Sequence, residues 1–90
     1  MELGGIKELI NIYETLYNSG LTEYLSEKAK SIYNELTPGH TLLSKDVNSA
    51  VGKLFSVAYP NVDRDRKIPT KKDIIEILIT LKKRKQELEK

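Results

Sequence analysis

The stretch Ile6-Lys7-Glu8-Leu9-Ile10-Asn11-Ile12-Tyr13-Glu14-Thr15-Leu16-Tyr17-Asn18-Ser19-Gly20 decides the fold. Together with Leu3, the residues Ile6, Leu9, Ile10, Tyr13, Leu16 and Tyr17 return at steps of three and four, the period that lines one side of an α-helix. Lys7, Glu8, Asn11 and Glu14 take the opposite side, so the segment is an amphipathic helix that has to bury its stripe against other elements. Asn18-Ser19-Gly20 supplies the stop, with Gly20 able to enter the left-handed region that closes a helix.

Three further segments read the same way. Leu21, Leu25, Ala29, Ile32 and Leu36, widened by Tyr24 and Tyr33, form a second stripe that Thr37-Pro38-Gly39 ends, because proline has no amide to donate and restricts the residue before it. Ser44 is suited to cap a third helix, with Asp46 at the positive end of its dipole. Its stripe is Leu43, Val47, Ala50, Val51, Leu54, Phe55 and Ala58, and Pro60 stops it. Gly52 inside it is read as a point of close contact with a neighbouring helix. Residues 60–69 lack a helical period and make the longest loop. Thr70 with Asp73 three residues on resembles a capping box opening a fourth helix, whose stripe is Ile74, Ile77, Leu78, Leu81 and Leu88.

Four such helices with short connections predict an all-α, antiparallel four-helix bundle formed by residues 1–90 as a single domain. Its expected core is Ile6, Leu9, Tyr13, Leu25, Ile32, Val47, Val51, Leu54, Ile74, Leu78 and Leu81. Ninety residues with 39% hydrophobic and 31% charged side chains, and only 8 glycines and prolines, suit one compact core and leave no room for two. Met1-Glu-Leu-Gly-Gly5 lacks the basic and apolar regions of a signal peptide, and no window approaches the ~18 apolar residues of a spanning helix. A cytoplasmic protein is expected.

Catalytic and metal chemistry find little support. The chain has no cysteine and one histidine, His40, in the loop after Pro38-Gly39, so thiol chemistry is excluded and no serine has a plausible base. Asn61, Asp63 and Asp65 occupy the first, third and fifth places of a calcium-loop pattern. That pattern then fails, because Arg66 stands where glycine is needed and Lys72 where a bidentate glutamate is needed. Gly4-Gly5 is an isolated pair without a phosphate-loop spacing. The tyrosines and Phe55 lie mostly on or beside the stripes, which fits core or half-buried packing better than base stacking. No enzymatic activity, metal or cofactor is expected.

Charge is the remaining functional signal. The overall +2 divides into −2 for residues 1–45 and +4 for residues 46–90. The cations of the second half gather at Arg64, Arg66, Lys67, Lys71 and Lys72 and in the run Lys82, Lys83, Arg84 and Lys85, which are the candidate partner-binding residues. Four consecutive helical residues spread over most of a turn, so the run cannot make one basic face, and Lys85 falls on the apolar stripe between Leu81 and Leu88. There the helix either overhangs the bundle or frays. The run reads as a solvated helix end complementing the dipole, or as an electrostatic contact with an anionic membrane surface or protein.

The order of these segments is similar to that of the immunity proteins of class IIa, pediocin-like bacteriocins, especially the enterocin A immunity group. The resemblance rests on Ile10-Asn-Ile-Tyr-Glu-Thr-Leu-Tyr17, Glu27-Lys-Ala-Lys-Ser-Ile-Tyr-Asn-Glu-Leu36, Val47-Asn-Ser-Ala-Val-Gly-Lys-Leu54 and Lys67-Ile-Pro69. It implies a protein that protects a bacteriocin producer from its own peptide, acting in the cytoplasm or peripherally at the inner face of the membrane. It further implies as partner the membrane receptor, the mannose phosphotransferase permease, with bound bacteriocin, recognised through the C-terminal half. A small nucleic-acid-binding helical module, or an adaptor subunit of a larger assembly, is the alternative expectation; nucleic acid is the less favoured partner because acids are mixed among the cations.

Overall fold

The computed structural model describes residues 2–36, 45–60 and 68–89. They form four helices, α1 (Glu2–Ser19), α2 (Glu23–Leu36), α3 (Lys45–Ala58) and α4 (Lys71–Glu89), with no strand among the described residues. The expected all-α bundle is what the chain builds. Gly20 ends α1 as anticipated. Its φ is 75°, and its amide donates to the Leu16 carbonyl at 3.0 Å, which satisfies one of the last-turn acceptors of α1.

Two helix starts are capped by threonine. Thr22, whose capping role the periodicity does not reveal, accepts the Leu25 amide on Oγ1 at 3.1 Å and so opens α2. At α4 the anticipated box closes in both directions. The Asp73 amide donates to Thr70 Oγ1 at 3.2 Å, and the Thr70 amide donates to Asp73 Oδ2 at 3.3 Å. The far end of α3 is sealed from outside, because the Ser26 hydroxyl of α2 donates to the Ala58 carbonyl at 3.0 Å.

Each neighbouring pair of helices runs antiparallel. Gly5 at the start of α1 meets Leu36 at the end of α2, Ser26 meets Ala58, and Lys71 at the start of α4 meets Tyr17 near the end of α1. Packing is most extensive between α2 and α3 and between α1 and α4, while α1 also touches α3 across the diagonal. Tyr13 makes that diagonal link. Its ring is fully buried and its hydroxyl donates to the Ala50 carbonyl of α3 at 2.6 Å.

The core joins Ile6, Leu9, Ile12 and Tyr13 of α1 to Leu25, Ala29 and Ile32 of α2, Val47, Val51, Leu54 and Val57 of α3, and Ile74, Ile77 and Leu81 of α4. Ten of the eleven expected core residues are buried; Leu78 is the exception, packing partly exposed at the edge. Ile12 lies off the expected α1 stripe yet is fully buried, because a helix with neighbours on several sides buries a wider arc than one stripe.

Three readings need correction. Gly52 is exposed, and a Cβ there would meet nothing within 4 Å, so it marks no helix contact; the close approach is at Gly5, where a Cβ would stand 2.9 Å from a Leu36 methyl. The end of α4 neither overhangs nor frays, since the helix continues to Glu89 and Leu88 packs against the core. Tyr24, expected to widen the α2 stripe, is 75% exposed. The Thr37-Pro38-Gly39 stop, His40, the Ser44 cap, the Asn61, Asp63 and Asp65 pattern, and Arg64, Arg66 and Lys67 lie outside the described residues.

Candidate functional site

The described part of the candidate site is borne by α4. Ile74, Ile77 and Leu81 turn inward, which fixes the azimuth of every other residue on the helix and separates its basic residues into three groups. Lys71 and Lys82 lie on the flank toward α1. The Lys71 ammonium sits 5.5 Å from the centre of the Tyr17 ring, a cation–π distance, and Lys82 Nζ lies 4.0 Å from Glu14 Oε1.

Lys72 and Lys83 form the second group. They are exposed and have no ion-pair partner among the described residues. Arg84 and Lys85 are half-buried and engaged with acids of their own helix, Arg84 with Glu87 and Lys85 with Glu89, both at 3.2 Å. The run at 82–85 is thus split, as its spacing requires. The stem of Lys85 lines a groove between α1 and α4 with Lys7, Ile10, Asn11, Glu14, Lys82 and Gln86, which explains how a lysine occupies a stripe position without interrupting the helix.

The other flank of α4 faces α3 across a polar cleft lined by Asp46, Ser49, Lys53, Glu76 and Thr80. A third groove, at the opposite side of the bundle, is lined by Thr22, Glu23, Ser26, Lys30 and Tyr59. Tyr33, Phe55 and Tyr59 cluster there with ring centres 5.1 to 6.4 Å apart, and the Lys30 ammonium sits 5.4 Å from the Tyr59 ring centre. These rings pack on one another at the edge of the core, in the half-buried role expected of them.

Several hydroxyls of this bundle serve the backbone. Thr15, Thr80, Ser56 and Ser26 donate to the carbonyls of Asn11, Glu76, Lys53 and Ala58, so none of these four is directed at a base. Burial pushes the Tyr13 hydroxyl well above the usual tyrosine range, and its bond to Ala50 holds it neutral as a structural donor. Among the described residues no group of three His, Cys, Asp or Glu side chains could hold a metal ion, and no helix is long and apolar enough to cross a membrane.

Two surface residues of α4 escaped the sequence reading. Ile75 and Ile79 point away from the core, 43% and 62% exposed. The available signal was their four-residue spacing on the side opposite the stripe. In comparisons with known proteins, no family model, curated protein or solved structure matches the chain significantly.

Proposed function

We propose that the chain is an immunity protein against a class IIa, pediocin-like bacteriocin, working by recognition and not by catalysis. The observation that carries this reading is the resemblance of three helical segments and of the Lys67-Ile-Pro69 tripeptide before the fourth helix, in order, to the enterocin A immunity group, in a chain whose helices pack as an antiparallel bundle. In this reading the protein sits on the cytoplasmic side and engages the mannose phosphotransferase permease with its bound bacteriocin. Arg64, Arg66, Lys67, Lys71, Lys72, Lys82, Lys83, Arg84 and Lys85 supply the positive surface. Rim charges of this kind govern encounter and partner choice more than they hold a fold together.

The division within α4 refines the roles. Lys72 and Lys83 offer ammonium groups to an acidic partner at little cost and Lys82 has only the 4.0 Å approach of Glu14 to give up, whereas Arg84 and Lys85 would first have to leave Glu87 and Glu89 at 3.2 Å. The test is expression in a bacteriocin-sensitive strain, challenge with a panel of pediocin-like peptides, and repetition with Arg64→Glu, Arg66→Glu and Lys67→Glu combined. Protection against one or a few peptides, lost in the variant while its circular dichroism stays helical, supports the function and this basic surface. Protection against none refutes the immunity reading. A micromolar, salt-sensitive complex with duplex DNA would favour the nucleic-acid module instead.

A further inference from the structure

The outward face of α4 has a composition that no contact among the described residues explains. At about 100° per residue, Lys82, Ile75, Gln86, Ile79, Lys72 and Lys83 fall side by side within roughly a third of the circumference. That arc contains three lysines and two isoleucines and no acid. Asp73, Glu76 and Glu87 all fall on the flank toward α3, where Glu76 lines the polar cleft. Glu14 of α1 approaches from the other side, at 4.0 Å from Lys82, and Glu89 there is engaged by Lys85. Ile75 and Ile79, one helical turn apart, stand between these lysines with 43% and 62% of their surface open.

Charge selects the occupant of this face. A second copy of the chain, paired through the same surface, would bring Lys72, Lys82 and Lys83 against their own counterparts, so self-association is opposed. The occupant has to be anionic and has to accept aliphatic side chains. Shape then narrows the choice, because the described clefts flank α4 and reach this face only at its α1 edge, through Lys82 and Gln86; Lys72, Ile75, Ile79 and Lys83 line neither cleft and form a convex ridge that offers a protein partner's anchor no seat between them. A bilayer surface conforms to such a ridge. Isoleucines enter the boundary between headgroups and acyl chains, and lysine stems lie along it with their ammonium groups at the phosphates.

We propose that the outward face of α4 docks on an anionic lipid bilayer, with Ile75 and Ile79 inserted and Lys72, Lys82 and Lys83 on the headgroups. The attachment is reversible, since it consists of two short apolar side chains and three charges. It does not depend on the immunity reading, because a vesicle assay contains neither bacteriocin nor receptor.

The test is flotation with vesicles of phosphatidylcholine alone and of phosphatidylcholine with about one-third phosphatidylglycerol, at about 0.1 M salt. The wild-type chain should float with the anionic vesicles only. Lys72→Gln, Lys82→Gln and Lys83→Gln combined should lower the partition coefficient about a hundredfold, at about fivefold per lysine, while Lys45→Gln away from the face changes it little. Ile75→Gln with Ile79→Gln, which keeps every charge, should also lower it severalfold. Since the chain lacks tryptophan, Ile79→Trp adds a single reporter whose emission should shift to the blue on anionic vesicles. No flotation, equal flotation with neutral vesicles, or folded face variants that float like wild type overturn the proposal. Retention on polyglutamate through the same lysines, without vesicle binding, would assign the face to an acidic protein and likewise overturn it.

Discussion

Replacing Tyr13 with phenylalanine tests the diagonal link between α1 and α3 and the energetics of a buried hydroxyl together. The substitution removes one hydrogen bond, Tyr13 to the Ala50 carbonyl at 2.6 Å, and leaves the ring in place. Ala50 lies within α3, where its carbonyl can still accept a helical amide, so the loss is that of a bond and not of an orphaned acceptor, about 0.5–1.5 kcal/mol. In a domain of this size each kcal/mol moves the Tm by about 4–8 °C. Near neutral pH the variant should therefore melt several degrees below wild type.

The same hydroxyl makes that difference depend on pH. Burial raises the folded pKa of Tyr13 above the unfolded value of about 10, so its contribution is complete below about pH 10 and is lost as the unfolded chain ionises and the folded one does not. At about pH 11 the wild-type chain gives up about 1.4 kcal/mol through this residue and the phenylalanine variant gives up none. The stability gap should close between about pH 9 and about pH 11 and then reverse. Urea unfolding of both proteins across that range, followed by far-UV circular dichroism, reads the gap directly, because every other titrating group cancels in the difference. A gap that stays constant to about pH 11, or is absent at neutral pH, refutes the buried, donated hydroxyl.

Two glycines should respond in opposite directions. Gly52→Ala, on the exposed side of α3 with nothing within 4 Å of the new methyl, should raise stability by about 0.5–1 kcal/mol, whereas Gly20→Ala should lower it by about 1–2 kcal/mol because φ is 75° there; urea midpoints compare the pair. Thr70→Ala removes the acceptor of the Asp73 amide and should cost about 1 kcal/mol, with amide exchange faster in the first turn of α4 than in its middle.

Periodicity carried the architecture because each helix keeps its apolar residues on one side and its stop or cap in the local chain. Gly20 and the Thr70–Asp73 box are local signals of this kind, and both form. Ile12 and Gly5 are not. Their burial depends on which helices flank α1 and at what register they cross, and the spacing within one helix contains neither quantity. Gly52 illustrates the same limit in reverse: a glycine in mid-helix permits close approach but does not say whether a neighbour stands opposite. The site shows the limit again. That residues 82–85 cannot share one face follows from helical geometry alone, but the engagement of Arg84 and Lys85 by Glu87 and Glu89, with Lys82 and Lys83 left at the surface, depends on side-chain positions.

The exposed isoleucines bear on what α4 is for. A β-branched residue at a solvent-facing helical position loses side-chain freedom without gaining packing, so alanine, lysine or glutamate at 75 and 79 would serve the helix better. The inward residues Ile74, Ile77 and Leu81 already hold α4 to the bundle, and the capping box already starts it. Ile75 and Ile79 therefore add little to the isolated fold and leave apolar surface in water. Both penalties diminish when the face is covered, and the three lysines around it fix the sign of the covering surface. In the proposed docking, stability and recognition lie on opposite sides of one helix, and charge substitutions on the outer side are read as effects on binding, with the core as their unchanged reference.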